Sequence, residues 1–211
     1  TLTFSEDGLS ITDENFTQIA DVEAIQTKNG TNYVNLGATA AGSGLATLVG
    51  GTGSDTIDAS AFTAAITIDS GDSADFITGS STATNRILAG AGNDAITLVG
   101  GAVGSATLAG GLGSDTLSLA ANATLTDVNF GTNITDIEVL SAASTGASSL
   151  TVGLNVQGSG NTINNNGLVN AVRGAAIWSQ RAGTLTVVNN GTISTGPLDN
   201  PNRTATVIGG N

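Results

Sequence analysis

Four stretches of this chain repeat one nine-residue phrase, at intervals that leave little choice of fold. Gly50-Gly51-Thr52-Gly53-Ser54-Asp55-Thr56-Ile57-Asp58 fits the pattern G-G-x-G-x-D-x-U-x, with U a large apolar residue, at every fixed position. Gly110-Gly111-Leu112-Gly113-Ser114-Asp115-Thr116-Leu117-Ser118 fits it again. Ala89-Gly90-Ala91-Gly92-Asn93-Asp94-Ala95-Ile96-Thr97 departs only in its first residue. Ser70-Gly71-Asp72-Ser73-Ala74-Asp75-Phe76-Ile77-Thr78 is more worn, keeping one glycine, the aspartate and the apolar position. The phrases begin at Gly50, Ser70, Ala89 and Gly110, so they recur at a nearly constant step. Each step is about two nonapeptides, one full turn of a coil whose turns lie directly on one another.

Stacking the phrases stacks their apolar residues. Ile57, Ile77, Ile96 and Leu117 form one column, and Leu48, Ile68, Ile87 and Leu108, each two residues before a phrase, form a second. Each turn alone buries little, so its neighbours must stabilise it. Composition agrees: aromatics are 3% and charged residues 10%, against 30 glycines, which rules out a large globular core. The expectation is an all-β, right-handed parallel β-solenoid of roughly ten turns by strand spacing, with β-roll turns passing into β-helix turns. No segment has a convincing helical period, although Thr12 to Ile19 admits one short helical turn.

A longer repeat is superimposed. Ile11-Thr12-Asp13-Glu14-Asn15-Phe16 recurs as Leu125-Thr126-Asp127-Val128-Asn129-Phe130, and Asp21-Val22-Glu23-Ala24-Ile25 as Asp136-Ile137-Glu138-Val139-Leu140. Phe16 and Phe130 are expected to plug the interior. After the second copy the chain reaches Gly158-Ser159-Gly160-Asn161, with Asn in place of Asp. Beyond it Thr162-Ile163-Asn164-Asn165-Asn166-Gly167-Leu168 is echoed by Thr186-Val187-Val188-Asn189-Asn190-Gly191-Thr192-Ile193. That step is longer than the one between phrases, which reads as wider turns without metal. The organisation expected is leading turns over 1–49, glycine–aspartate turns over 50–120, a second copy of the leading unit over 121–157 and Asn/Gly-rich turns over 158–211, in one continuous solenoid. The chain opens and closes in mid-pattern, as a mature product or a segment of something larger would.

The net charge is −12, from 17 acidic and 5 basic residues, so the surface repels nucleic acid and anionic lipid and attracts cations. No apolar run is long enough for a membrane helix. Without Cys, Met or His, the usual zinc, copper, haem and iron–sulfur sites cannot be built. Oxygen ligands remain, and hard cations prefer them. In each phrase the glycines let the backbone aim carbonyls inward and the aspartate supplies a carboxylate. The candidate metal ligands are Gly51, Gly53, Asp55, Asp72, Asp75, Gly90, Gly92, Asp94, Gly111, Gly113 and Asp115, with calcium as the ion.

These motifs, over about 48–119, resemble the repeats-in-toxin (hemolysin-type) family of calcium-binding β-roll proteins. The resemblance implies a bacterial, exported protein that folds when it meets external calcium. This chain has one motif per turn where that family has two, which implies one ion row. The segment 150–211, with Gly183-Thr184-Leu185-Thr186-Val187-Val188-Asn189-Asn190-Gly191-Thr192-Ile193-Ser194, is similar in composition to the passenger β-helix of autotransporter and filamentous adhesins.

The function expected is that of an extracellular, cell-surface structural or adhesive repeat protein: a surface-layer, filament or giant-adhesin segment rigidified by calcium. Its expected partners are copies of itself, other surface proteins or carbohydrate, with no nucleic acid and no membrane insertion. The alternatives are a polysaccharide-acting β-helix enzyme and a carbohydrate- or ice-binding module. An enzyme would draw on Asp13 with Asp21, or on Arg86 near the glycine turns, but the chain has one Lys and no His, so no catalytic residues are assigned. Trp178, flanked by Arg173 and Arg181, reads as a core plug. An ice-binding face needs Thr-x-Thr pairs in stacked register, and pairs such as Thr1/Thr3, Thr82/Thr84 and Thr184/Thr186 are irregularly spaced.

Overall fold

The computed structural model describes residues 1–80, 85–100, 106–120 and 133–142, and the strand segments 124–125, 149–152, 162–165, 168–171, 186–189 and 192–195. Among these residues the chain coils as a parallel β-solenoid, each turn adding one strand to the second of its sheets. One sheet stacks seven strands, from Leu2–Thr3 through Ala24–Gln26, Thr47–Gly51, Thr67–Gly71, Arg86–Ala91 and Thr107–Leu112 to Ile134–Thr135. A second stacks nine, from Ser10–Ile11 through Tyr33–Asn35, Thr56–Asp58, Phe76–Thr78, Ala95–Leu98, Thr116–Leu119, Val139–Ala142 and Thr162–Asn165 to Thr186–Asn189. The turns outside the glycine–aspartate stretch are wider than those within it. Ile11 pairs with Val34, Val34 with Ile57, and Ile163 with Val187, each a longer step along the chain than that from Ile57 to Ile77.

Both apolar columns are present in the register the spacing requires. Ile57, Ile77, Ile96 and Leu117 pair in sequence, and Leu48, Ile68, Ile87 and Leu108 do the same on the facing sheet. All eight are buried. The columns run further than the phrases do, through Ile11, Val34 and Leu140 on one side and Ile25 and Ile134 on the other. Each such side chain contributes about 1.5–3 kcal/mol by leaving water. No turn has more than a few, so the fold depends on stacking.

The third side of the coil changes along its length. In the first turn it is a short 3-10 helix, Asp13–Gln18, which buries Phe16 as expected. In the next it is an α-helix, Ala38–Gly42, which the sequence pattern does not announce. From Thr124–Leu125 onward it is a third parallel sheet of four strands, continued by Ser149–Val152, Leu168–Ala171 and Thr192–Thr195. The wider turns of the C-terminal stretch therefore hold an additional strand each.

The long sequence repeat is not a repeat of position. Asp21 and Asp136 share a left-handed backbone, φ 58° and 54°. Yet Ala24–Gln26 joins the first sheet and Val139–Ala142 the second. Strand pairing with the adjacent turn, Ile25 on Leu48 and Leu140 on Leu117, decides which side each segment takes. Phe130, Gly158-Ser159-Gly160-Asn161, Arg173, Trp178 and Arg181 lie outside the described residues.

Candidate functional site

The glycine–aspartate phrases form one corner of the coil, between the first and second sheets. Glycine is required there by close approach. Gly71, Gly90 and Gly111 have φ of 102°, 102° and 109°, and a Cβ on each would run into the carbonyl oxygen of Gly51, Gly71 and Gly90, respectively, one turn earlier. Gly53, Gly92 and Gly113 are pressed in the same way against the backbone of Gly30, Ser73 and Gly92.

Behind the glycines the aspartates stack into a buried column. Asp55, Asp75, Asp94 and Asp115 are each no more than 1% exposed. The main-chain N–H of Asp55 donates to Oδ1 of Asp75 (2.7 Å), that of Asp75 to Oδ1 of Asp94 (2.8 Å) and that of Asp94 to Oδ1 of Asp115 (2.9 Å). The ladder continues beyond the phrases in both directions. Asp115 N–H donates to Oε2 of Glu138 (2.7 Å), Asn32 N–H to Oδ1 of Asp55 (2.8 Å), and Leu9 N–H to Oδ1 of Asn32 (3.0 Å). Asn32 and Glu138 were not singled out from the sequence. The signal was there: each stands, like the aspartates, two residues before a column residue, Val34 and Leu140.

The second oxygen of each aspartate is different. Oδ2 of Asp55, Asp75, Asp94 and Asp115 is buried and has no hydrogen-bond partner. The Ser70 hydroxyl, next to Asp75, donates instead to the Ala89 carbonyl (2.8 Å). A buried, unpaired carboxylate oxygen is costly, and four stacked in one column repel one another. Burial raises the pKa of Asp55, Asp94 and Asp115, with Asp94, Glu138 and Asp136 adding to the rise at Asp115. Asp75, in mid-column, is raised to about 6, first by burial and then by the charges of Asp94 and Asp55.

The Asn32 rung shows what this position asks for. Its Oδ1 accepts a hydrogen bond as the aspartates' does, but its Nδ2 donates to the corner carbonyls of Lys28 (3.0 Å) and Gly30 (2.9 Å). A partial positive charge faces two carbonyls there. By stacking, the equivalent residues at the Asp55 rung are Gly51 and Gly53, which lie against Lys28 and Gly30. An aspartate sets an oxygen where Asn32 sets its amide nitrogen; that nitrogen also donates to Oδ1 of Asp55 (2.8 Å), but Oδ2 of each aspartate has no donor facing it. A proton or a hard cation supplies a positive partner, and an all-oxygen donor set suits calcium. Among the described residues no three acidic side chains form a ready cage, so the remaining ligands would be corner carbonyls.

Asp72 does not join the column. It is exposed on the outer edge of its corner, where its main chain bridges to Ala91. The residue after the inward-turned glycine faces solvent, so Asp72 lies outside the buried set.

The carboxylates considered for catalysis are placed otherwise. Asp13 accepts the N–H groups of Gly37 (2.8 Å) and Ala40 (2.8 Å) on Oδ1 and of Thr39 (3.2 Å) on Oδ2. Burial works against its charge, but these bonds outweigh it and lower its pKa. Asp21 is exposed, and Arg86 stands exposed on the first sheet, opposite Thr67 and Thr107. Among the described residues no helix is long and apolar enough to cross a membrane.

The fold and corner define a class: a parallel β-solenoid with a carboxylate-laddered corner. Compared with known proteins, the chain matches no family profile, no curated protein and no solved structure.

Proposed function

We propose that this chain is a structural segment of an extracellular repeat protein, such as a surface layer, filament or large adhesin, whose coil is stiffened by calcium at the glycine–aspartate corner. The observation that carries this reading is the contrast between Asn32, whose amide nitrogen satisfies two corner carbonyls, and the four aspartates, whose buried Oδ2 atoms have no partner. Asp55, Asp75, Asp94 and Asp115, with corner carbonyls, would hold the ion. A divalent ion turns the repulsion within the column into cross-linking between turns, so its binding free energy becomes folding free energy. Worn sites of this kind suit millimolar calcium, as outside cells, where extracellular modules bind at about 10⁻⁴–10⁻³ M. A long coil with hydrogen-bonded rungs suits a load-bearing role.

Calorimetry with calcium, and hydrogen exchange with and without a chelator, test the reading. Calcium is expected to bind, and chelation to loosen residues 48–120 far more than the strands from Thr162 onward. No heat of binding, with equal protection in both regions, would leave the glycines as turn formers alone.

A further inference from the structure

The chain has few aromatics, and among the described residues two of them are turned outward. Phe4, Phe16 and Phe62 lie in or against the core, whereas Tyr33 is 44% exposed and Phe76 62% exposed. They stand in one outward column of the second sheet, with only Thr56 between them: Tyr33 pairs with Thr56, and Thr56 with Phe76. Two strand spacings separate the rings' backbones, about 10 Å. Two residues along each strand lies a parallel column of hydrogen-bonding groups, Asn35, Asp58, Thr78 and Thr97. Over these turns neither column has a lysine or arginine, and Asp58 is the single charge, with Oδ1 already accepting the Ser60 N–H (2.9 Å).

We infer that this face binds an extended, uncharged β-1,4-linked polysaccharide lying along the coil axis, with one pyranose ring on Tyr33 and the next but one on Phe76. The C–H face of a pyranose stacks on an aromatic ring, and Tyr and Phe offer rigid platforms at low entropic cost. In an extended β-1,4 chain alternate rings repeat at close to two strand spacings, about 10 Å. The smaller Thr56 leaves room for the ring between. The polar column beside it meets the equatorial hydroxyls. A net charge of −12 disfavours uronate chains, which selects the uncharged class. This inference does not depend on calcium.

The test is calorimetry of the whole chain, in calcium-containing buffer, with cellohexaose and with chitohexaose, and with oligogalacturonate as the acidic control. At least one neutral hexaose is expected to bind and the acidic one not to. Tyr33→Ala and Phe76→Ala are each expected to weaken binding about tenfold, and Phe76→Trp to retain it. Both sites are exposed, so thermal melts of the variants should match the parent. Leu112, 76% exposed but at the corner, is the control for general stickiness, and Leu112→Ala should change nothing. Binding to cellohexaose alone or to both sugars tells whether the 2-substituent is read, and either supports the inference. No binding to any neutral hexaose overturns it, as does an equal loss in Leu112→Ala. So does a Phe76→Ala variant that binds sugar normally but loses self-association, which would make this face an interface between copies.

Discussion

The N–H of Asp55 donates to Oδ1 of Asp75, a full turn further along the coil, at 2.7 Å. One carboxylate oxygen is thereby committed to holding two turns together, while the other is buried without a partner. The same side chain is thus a structural rung and an unsatisfied anion, and the two roles separate in experiment.

The first expected outcome is an unusual pH dependence in the absence of calcium. Asp75 has a folded pKa of about 6, above the ordinary unfolded value of about 3.9. Between those values the folded state binds more protons than the unfolded one, so stability falls as pH rises. Asp55, Asp94 and Asp115 are shifted in the same direction. Denaturant midpoints in chelator should decline from pH 4.5 to pH 7.5. Asp13, shifted downward, opposes this only at more acidic pH. A flat or rising midpoint across that window would contradict the buried column.

Substituting Asp75→Asn separates rung from anion. The amide oxygen can still accept the Asp55 N–H, and Asn32 shows that an amide nitrogen finds corner carbonyls at such a rung. In chelator at pH 7.5 the variant should be more stable than the parent. In calcium it should be less stable, because a ligand is gone. A variant less stable in both conditions would mean that the carboxylate is needed for packing alone.

Much of this molecule is legible in its sequence, and the unread parts share a cause. The columns through Ile57 and Leu48 follow from a near-constant step of two nonapeptides, because parallel stacking turns spacing into contact. Asn32 and Glu138 escape that reading, since they lie 23 residues from Asp55 and Asp115 and lack the full glycine frame. The Ala38–Gly42 helix escapes it because its cap comes from Asp13, 24 residues before Gly37. Side-chain partners one turn away do not show in a local pattern. The same holds for Ile25 and Leu140, which occupy matching places in the sequence repeat but different sheets.

Glycine substitutions should divide by crowding, not by backbone angle alone. Gly90 and Gly44 both have positive φ, 102° and 93°. A Cβ on Gly90 would strike the Gly71 carbonyl, whereas one on Gly44 has nothing within 4 Å. Gly44→Ala should cost about 1–2 kcal/mol, the strain of a left-handed alanine. Gly90→Ala should cost that plus the separation of two turns, about 3 kcal/mol or more. Urea denaturation in chelator measures both, and equal losses would remove the case for close approach at the corner.

Asp13 offers a test of structure against chemistry at a single carboxylate. Its two oxygens accept three N–H groups at the start of the Ala38–Gly42 helix, donors that no residue of that helix satisfies. The residue before the helix, Gly37, has no side chain to cap it, so the cap is supplied by the neighbouring turn. Asp13→Ala should therefore cost about 1–2 kcal/mol, within the range for lost caps. The amides of Thr39 and Ala40 should lose protection from hydrogen exchange, while those of the Asp55–Asp115 column keep theirs. Asp13→Asn should recover part of the loss, since an amide oxygen still accepts. A variant of unchanged stability and protection would return Asp13 to the candidates for a chemical role.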